Sequence, residues 1–178
     1  MGLWISYWVA SFTKKIHAFD SFSGHSEASF EDKSSPNWKP LDKSFAITKD
    51  DTIKTILLGT NLTSAEIDNR IRFYEGWVNE TMPAWASMMK TTQGRLAYVH
   101  ADMDIYEPMK VILSQTYPFL SSGAIVSVGI IGNPELAGKT KAFDEFCNSI
   151  DKSDIEIKTR EIVDTDGRKQ MQTYFVRK

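Results

Sequence analysis

The stretch that most constrains this chain is Leu96-Ala97-Tyr98-Val99-His100-Ala101-Asp102-Met103-Asp104-Ile105-Tyr106. A short, mostly apolar run ends abruptly in two aspartates. Met109, Ile112, Leu113, Tyr117 and Leu120 then recur at helical spacing, Pro108 suits a first helical turn, and Ser121-Ser122-Gly123 reads as the stop. A second apolar run, Ala124-Ile125-Val126-Ser127-Val128, follows. Strand, acidic turn, helix and strand make a βαβ unit. Its first run is compatible with a strand buried on both faces of a parallel sheet. In open α/β sheets, ligands bind beyond the carboxyl ends of the strands. Asp102 and Asp104 are therefore the first candidates for chemistry. Asp104 and Glu107 also have the spacing of a capping box at a helix start, and Asp102 is placed to accept from loop amides. Neither role excludes a chemical one. His100, between strand and turn, is open as an alternative base or as a hydrogen-bonded structural histidine.

The flanking sequence supports the same class. Ile16-His17-Ala18-Phe19 reads as a strand entering the turn-rich Asp20-Ser21-Phe22-Ser23-Gly24, and Ile71-Arg72-Phe73-Tyr74 as another strand, closed by Glu75-Gly76-Trp77. Helices are expected over residues 3–13, over 50–58, from Pro83 through Trp85, Met88 and Met89, and across Phe143, Phe146, Cys147 and Ile150. Thr63 or Ser64 is placed to cap a short turn. Residues 24–43 lack periodicity and form a long loop, of the kind that is usually functional. Phe30 and Trp38 within it suggest a packed lid that contacts an acceptor. Alternating Ile155-Glu156-Ile157-Lys158, the Asp166-Gly167 turn pair and Thr173-Tyr174-Phe175-Val176 predict a terminal hairpin. Together these elements predict one α/β domain spanning all 178 residues, with a mixed, doubly wound sheet.

Composition excludes several classes. A net charge of −2 gives no electrostatic case for nucleic acid. The apolar start, residues 2–10, is too short for a membrane span and lacks the positive region of a signal peptide. The lone Cys147 rules out an internal disulfide and suits a reducing compartment. The expectation is a cytoplasmic protein, in which the Asn61 and Asn79 glycosylation matches are chance.

Several stretches, taken in order, resemble the macrocin O-methyltransferase family, S-adenosylmethionine-dependent enzymes that methylate hydroxyls, typically on sugars. They are Asp20-Ser21-Phe22-Ser23-Gly24 after Phe19, Arg70 to Trp77 with Asn79-Glu80-Thr81-Met82-Pro83, and Asp102-Met103-Asp104-Ile105-Tyr106-Glu107-Pro108. Tyr117-Pro118, Ser122-Gly123-Ala124-Ile125-Val126 and Lys141-Ala142-Phe143-Asp144-Glu145-Phe146 complete the set. The resemblance implies a Rossmann-like methyltransferase sheet, mainly parallel, with a C-terminal antiparallel hairpin. It implies S-adenosylmethionine as cofactor, a sugar or other small-molecule acceptor, Asp104 as general base and Asp102 as ligand to a divalent metal such as Mg²⁺. Asp20 would hold the cofactor ribose, with Ser21, Phe22 and Gly2 beside the cofactor. Two readings stay open for Asp20, ribose acceptor or Asx-turn, and two for Trp77, adenine platform or core.

The pattern breaks in two places. The aspartate pair that completes the family's metal site falls on Gly129 and Ile130, which offer no side-chain oxygen to a hard cation. Asp102 alone does not make such a site. The family's first strand and glycine-rich turn are also missing from this sequence, which starts at or after that turn, with Gly2 as its last glycine. The function expected is O-methylation of a sugar or glycosylated small molecule. The alternative is a truncated or diverged, non-catalytic relative binding a nucleoside or a protein partner. A homo-oligomer is open.

Overall fold

The computed structural model of the chain describes residues 14–24, 26–33, 47–60, 62–163 and 167–178. The expected helix over residues 3–13, Gly2, Trp38 and Asn61 lie outside these. The chain divides into two compact units, one formed by Met1–Ser26 with Leu41–Thr81 and the other by Glu27–Pro40 with Met82–Lys178.

In the first unit, β1 (Ile16–Asp20) and β2 (Ile71–Glu75) pair in parallel, with Ile16 opposite Ile71 and Asp20 opposite Glu75. Two helices lead into β2. The first, which follows α1 (Phe30–Lys33) of the other unit in chain order, is α2 (Lys49–Gly59), whose cap Thr48 accepts from the Asp51 amide at 3.1 Å. The second is α3 (Ser64–Arg70), which starts with a full capping box: Thr63 accepts from the Glu66 amide, and Glu66 accepts from the Thr63 amide at 2.9 Å. Thr63 therefore caps a true helix rather than a turn. Ile56, Ile67 and Ile71 form the buried centre, with Ile16, Ala18 and Phe73 packed against them.

The second unit holds a four-stranded sheet in the order β3 (Leu96–His100), β4 (Leu120–Gly129), β6 (Lys169–Arg177), β5 (Ile155–Val163). β3 and β4 are parallel, and β6 is antiparallel to both β4 and β5. The α/β class, the parallel βαβ unit and the terminal hairpin are as expected. The helices of this unit are α1 (Phe30–Lys33), most of α4 (Val78–Thr91), α5 (Tyr106–Thr116) and α6 (Ala137–Ser149). Trp85, Met109, Leu113, Val126, Val128 and Phe175 are fully buried. Edge-to-face contacts join Trp85 to Phe119 at 5.5 Å and Tyr117 to Phe146 at 5.3 Å between ring centroids.

Four expectations are corrected. β3 is not buried on both faces: it lies at one end of the strand order, and among the described residues β4 is its only partner, which leaves Ala97 and His100 exposed. β4 starts at Leu120, so Ser121-Ser122-Gly123 is strand. Gly123, at φ +80°, accompanies a register shift opposite residues 96–98, as glycines inside strands commonly do. Pro83 does not open α4 but lies inside it. Its missing donor would have served the carbonyl of Asn79, an exposed residue that water can satisfy. Phe30 is 84% exposed rather than packed.

Candidate functional site

The second unit carries the aspartate turn. Beyond β3, the Ala101 amide donates to the Ser127 carbonyl at 2.8 Å. The ladder thus runs one residue past the strand, and Asp102 emerges beside the end of β4. The side chains of Asp102 and Asp104 are 48% and 42% exposed, so both carboxylates reach solvent. His100 Nε2 lies 3.7 Å from Asp102 Oδ2. Burial lowers the His100 pKa, Asp102 opposes that shift, and Lys139 reinforces it. The imidazole is therefore neutral near pH 7, and its contact with Asp102 is not a full ion pair. Tyr98 stacks parallel to it with ring centroids 6.4 Å apart.

Lys139 is the unforeseen member. Its side chain is 2% exposed, and its Nζ lies 3.9 Å from Asp102 Oδ1 and 4.0 Å from Asp104 Oδ1. Gly129 makes room for it. At φ +75°, a Cβ on residue 129 would sit 3.0 Å from Lys139 Nζ and 3.6 Å from Asp102 Oδ1.

The turn is anchored from the loop expected over residues 24–43. The residue capping α5 is Ile105, which offers no side-chain bond, so the expected register with Asp104 as cap and Glu107 three residues on is not formed. Asp32 takes the first amide instead. Its Oδ1 accepts from the Tyr106 amide at 2.8 Å, and its Oδ2 accepts from the Ser29 amide and hydroxyl at 2.9 and 2.8 Å. Asp32 is 4% exposed. Gly138 is what lets it in, because a Cβ there would overlap the Asp32 carboxylate. A carboxylate brought from a distant segment to a helix N-terminus satisfies an orphan donor and complements the dipole. It also frees the two aspartates of the turn from that duty. Glu31 pairs with Lys141 at 3.2 Å, tying the same segment to α6.

The first unit carries the Asp20 turn, at the carboxyl ends of β1 and β2. Asp20 Oδ1 accepts from the Phe22 amide at 2.8 Å, which is the Asx-turn. Phe22 adopts φ +52°. The Ser21 hydroxyl donates to the Gly24 carbonyl at 2.7 Å and accepts from the Ser23 amide at 3.1 Å, so the loop is wound on its own side chains. The Gly76 amide donates to the Asp20 carbonyl at 3.0 Å, joining this turn to the one ending β2. Gly76 has φ +129°, which other residues rarely adopt. Trp77 follows, half-buried rather than core. The Asx-turn leaves Oδ2 of Asp20 without a hydrogen bond among the described residues.

A divalent metal does not fit the aspartate turn. Among the described residues no three His, Cys, Asp or Glu side chains gather as a metal-holding group. Gly129 and Ile130 add no oxygen. A dication about 4 Å from the Lys139 ammonium would be repelled by roughly 8 kcal/mol at an effective dielectric near 20. Lys139 and Asp32 were both missed in the sequence. Two cues were available: a lysine in the first turn of a helix, where the dipole disfavours a cation, and the Ser29-x-x-Asp32 spacing.

The macrocin-O-methyltransferase (TylF) family pattern matches residues 8–161. The chain belongs to the macrocin O-methyltransferase family. No curated protein matches it by sequence. Among solved structures it is similar to CalS11, described as a calicheamicin methyltransferase, with TM-score 0.66 and 21% identity over 97% of this chain and 65% of that one. The O-methyltransferase NovP gives TM-score 0.63 and 19% identity over 99% of this chain and 66% of its own. TomG of Streptomyces achromogenes, involved in tomaymycin synthesis and solved with S-adenosylmethionine (SAM), gives 0.54 and 13% over 99% and 77%. These likenesses establish the methyltransferase fold. The chain spans just under two thirds of the length of CalS11 and NovP.

Two of the macrocin-family stretches meet directly in this member. The Tyr106 hydroxyl, from the Asp102 to Tyr106 stretch, donates to Glu145 Oε2 at 2.6 Å, from the Lys141 to Phe146 stretch. That bond raises the Tyr106 pKa. Lys141 Nζ lies 5.5 Å from the same ring's centroid. These residues clamp α5 to α6 rather than face a ligand. Cys147 follows them, its thiol pushed up to about 11 by burial and by Asp144, which keeps it protonated near neutral pH.

Proposed function

We propose that this chain is a SAM-dependent O-methyltransferase acting on a hydroxyl of a sugar or glycosylated small molecule. The observation that carries the proposal is the aspartate turn of a macrocin-family member: two half-exposed carboxylates beyond β3, released from helix capping by Asp32. Asp20, Ser21, Phe22 and Trp77 are assigned to the cofactor, and Gly2 is kept as an expectation. S-adenosylmethionine supplies an electrophilic methyl group on a sulfonium. Asp104 accepts the proton of the acceptor hydroxyl as its oxygen attacks, because a sugar hydroxyl is a poor nucleophile at neutral pH. Asp102 orients the hydroxyl by accepting a hydrogen bond. Most of the remaining acceleration comes from placing oxygen and methyl in line.

No helix among the described residues is long and apolar enough to cross a membrane. The test is S-adenosylhomocysteine release in the presence of sugar nucleotides and glycosylated natural products. Acceptor-dependent release is expected. Cofactor binding without release on any sugar-bearing acceptor would favour the non-catalytic alternative.

A further inference from the structure

We propose that Lys139 is the built-in cation of the aspartate turn: its ammonium supplies the positive charge between Asp102 and Asp104 and makes a divalent ion there unnecessary. The functional sense of this rests on the methyltransferase reading above. The assignment of the cation rests on geometry alone.

Three observations carry it. Lys139 is almost wholly buried, and an ammonium that deep requires counter-charge. It has two, Asp102 Oδ1 at 3.9 Å and Asp104 Oδ1 at 4.0 Å. Both distances exceed a direct hydrogen bond. The contact is therefore electrostatic rather than hydrogen-bonded. Second, the helix does not explain the placement. Lys139 stands in the first turn of α6, after a capping residue, Leu136, with no side-chain bond. A cation there opposes the helix dipole. The two carboxylates are what hold it.

Third, the ammonium and a side chain at residue 129 compete for one space. A Cβ at Gly129 would lie 3.0 Å from Nζ and 3.6 Å from Asp102 Oδ1. A third carboxylate from residue 129 would begin 3.0 Å from the ammonium, tighter than an ordinary contact, and would crowd it. Glycine at 129 and lysine at 139 are thus two halves of one exchange, a fixed monocation in place of a carboxylate-bound dication. Being buried, Lys139 does not touch the acceptor. It is a positioning residue acting through Asp102 and Asp104.

Titration of the full chain with Mn²⁺, read by electron paramagnetic resonance, tests this directly. The wild-type protein is expected to show no Asp102-dependent binding up to about 1 mM, the weak end of protein sites for divalent ions. Lys139→Met leaves two carboxylates without their cation. It should bind Mn²⁺ about tenfold or more tightly than wild type, and adding Asp102→Asn should abolish the gain. Wild-type binding below 1 mM that Asp102→Asn removes would overturn the proposal, as would Lys139→Met with no gain. A thermal readout decides it independently. Asp102→Asn with Asp104→Asn should lower Tm by stranding the ammonium, and adding Lys139→Met should restore it. Absence of that rescue contradicts the assignment. Neither readout involves methyl transfer, so a chain that failed to methylate would contradict the proposed function and leave this result standing.

Discussion

Asp104→Asn should reduce turnover by about a hundredfold or more, the usual effect of losing a general base, while leaving S-adenosylmethionine affinity nearly unchanged. The substitution keeps the size of the side chain and an oxygen, but removes the proton acceptor. It should not unfold the turn, because the N-terminus of α5 is capped by Asp32 and not by Asp104. Steady-state kinetics alongside cofactor titration check this, and turnover equal to wild type would refute the role. The companion change Asp102→Asn should act mainly on acceptor KM if Asp102 only orients the hydroxyl, so the pair separates positioning from proton transfer.

Asp32→Ala should be the most destabilising single change in the second unit outside its apolar core. It leaves the buried Tyr106 amide at the start of α5 without its acceptor, at a cost of about 1–3 kcal/mol. That corresponds to a fall in Tm of roughly 2–12 °C for a chain of this size. Gly138→Ala should destabilise by the same route, since its methyl group would displace the Asp32 carboxylate. The two effects should be strongly non-additive. Once Asp32 is alanine, the carboxylate overlap is gone and only the Tyr106 Cβ at 3.1 Å stays close, so Gly138→Ala should cost much less than in the wild type. Additive losses in thermal unfolding would show that Gly138 and Asp32 do not share the contact.

The sequence was readable where local pattern and tertiary context agree. The strand at Ile16–Asp20, the strand at Ile71–Glu75 and the closing hairpin each have a run of strand-forming residues bounded by turn residues, and each is present. Reading failed where one residue could serve two masters. Ser121-Ser122-Gly123 has turn composition, yet the sheet extends through it with a shifted register. Asp104 with Glu107 has capping spacing, yet a carboxylate 74 residues away takes the amide. No local rule exposes such a long-range substitution. The loss of the metal companions at Gly129 and Ile130 was legible from the resemblance. Its compensation by Lys139 was not, because the lysine lies ten positions further on and acquires its meaning from burial. Of the two readings of Asp20, the Asx-turn is formed, through one carboxylate oxygen.

The account stands or falls on cofactor binding, which calorimetric titration of the full chain with S-adenosylmethionine measures directly. Saturable binding with a dissociation constant below about 1 mM, equivalent to about −4 kcal/mol, is predicted. Asp20→Asn, which keeps the oxygen of the Asx-turn but removes the second acceptor, should weaken it by about tenfold, as expected for a lost charged hydrogen bond. No heat at millimolar cofactor, or binding indifferent to Asp20→Asn, would contradict it.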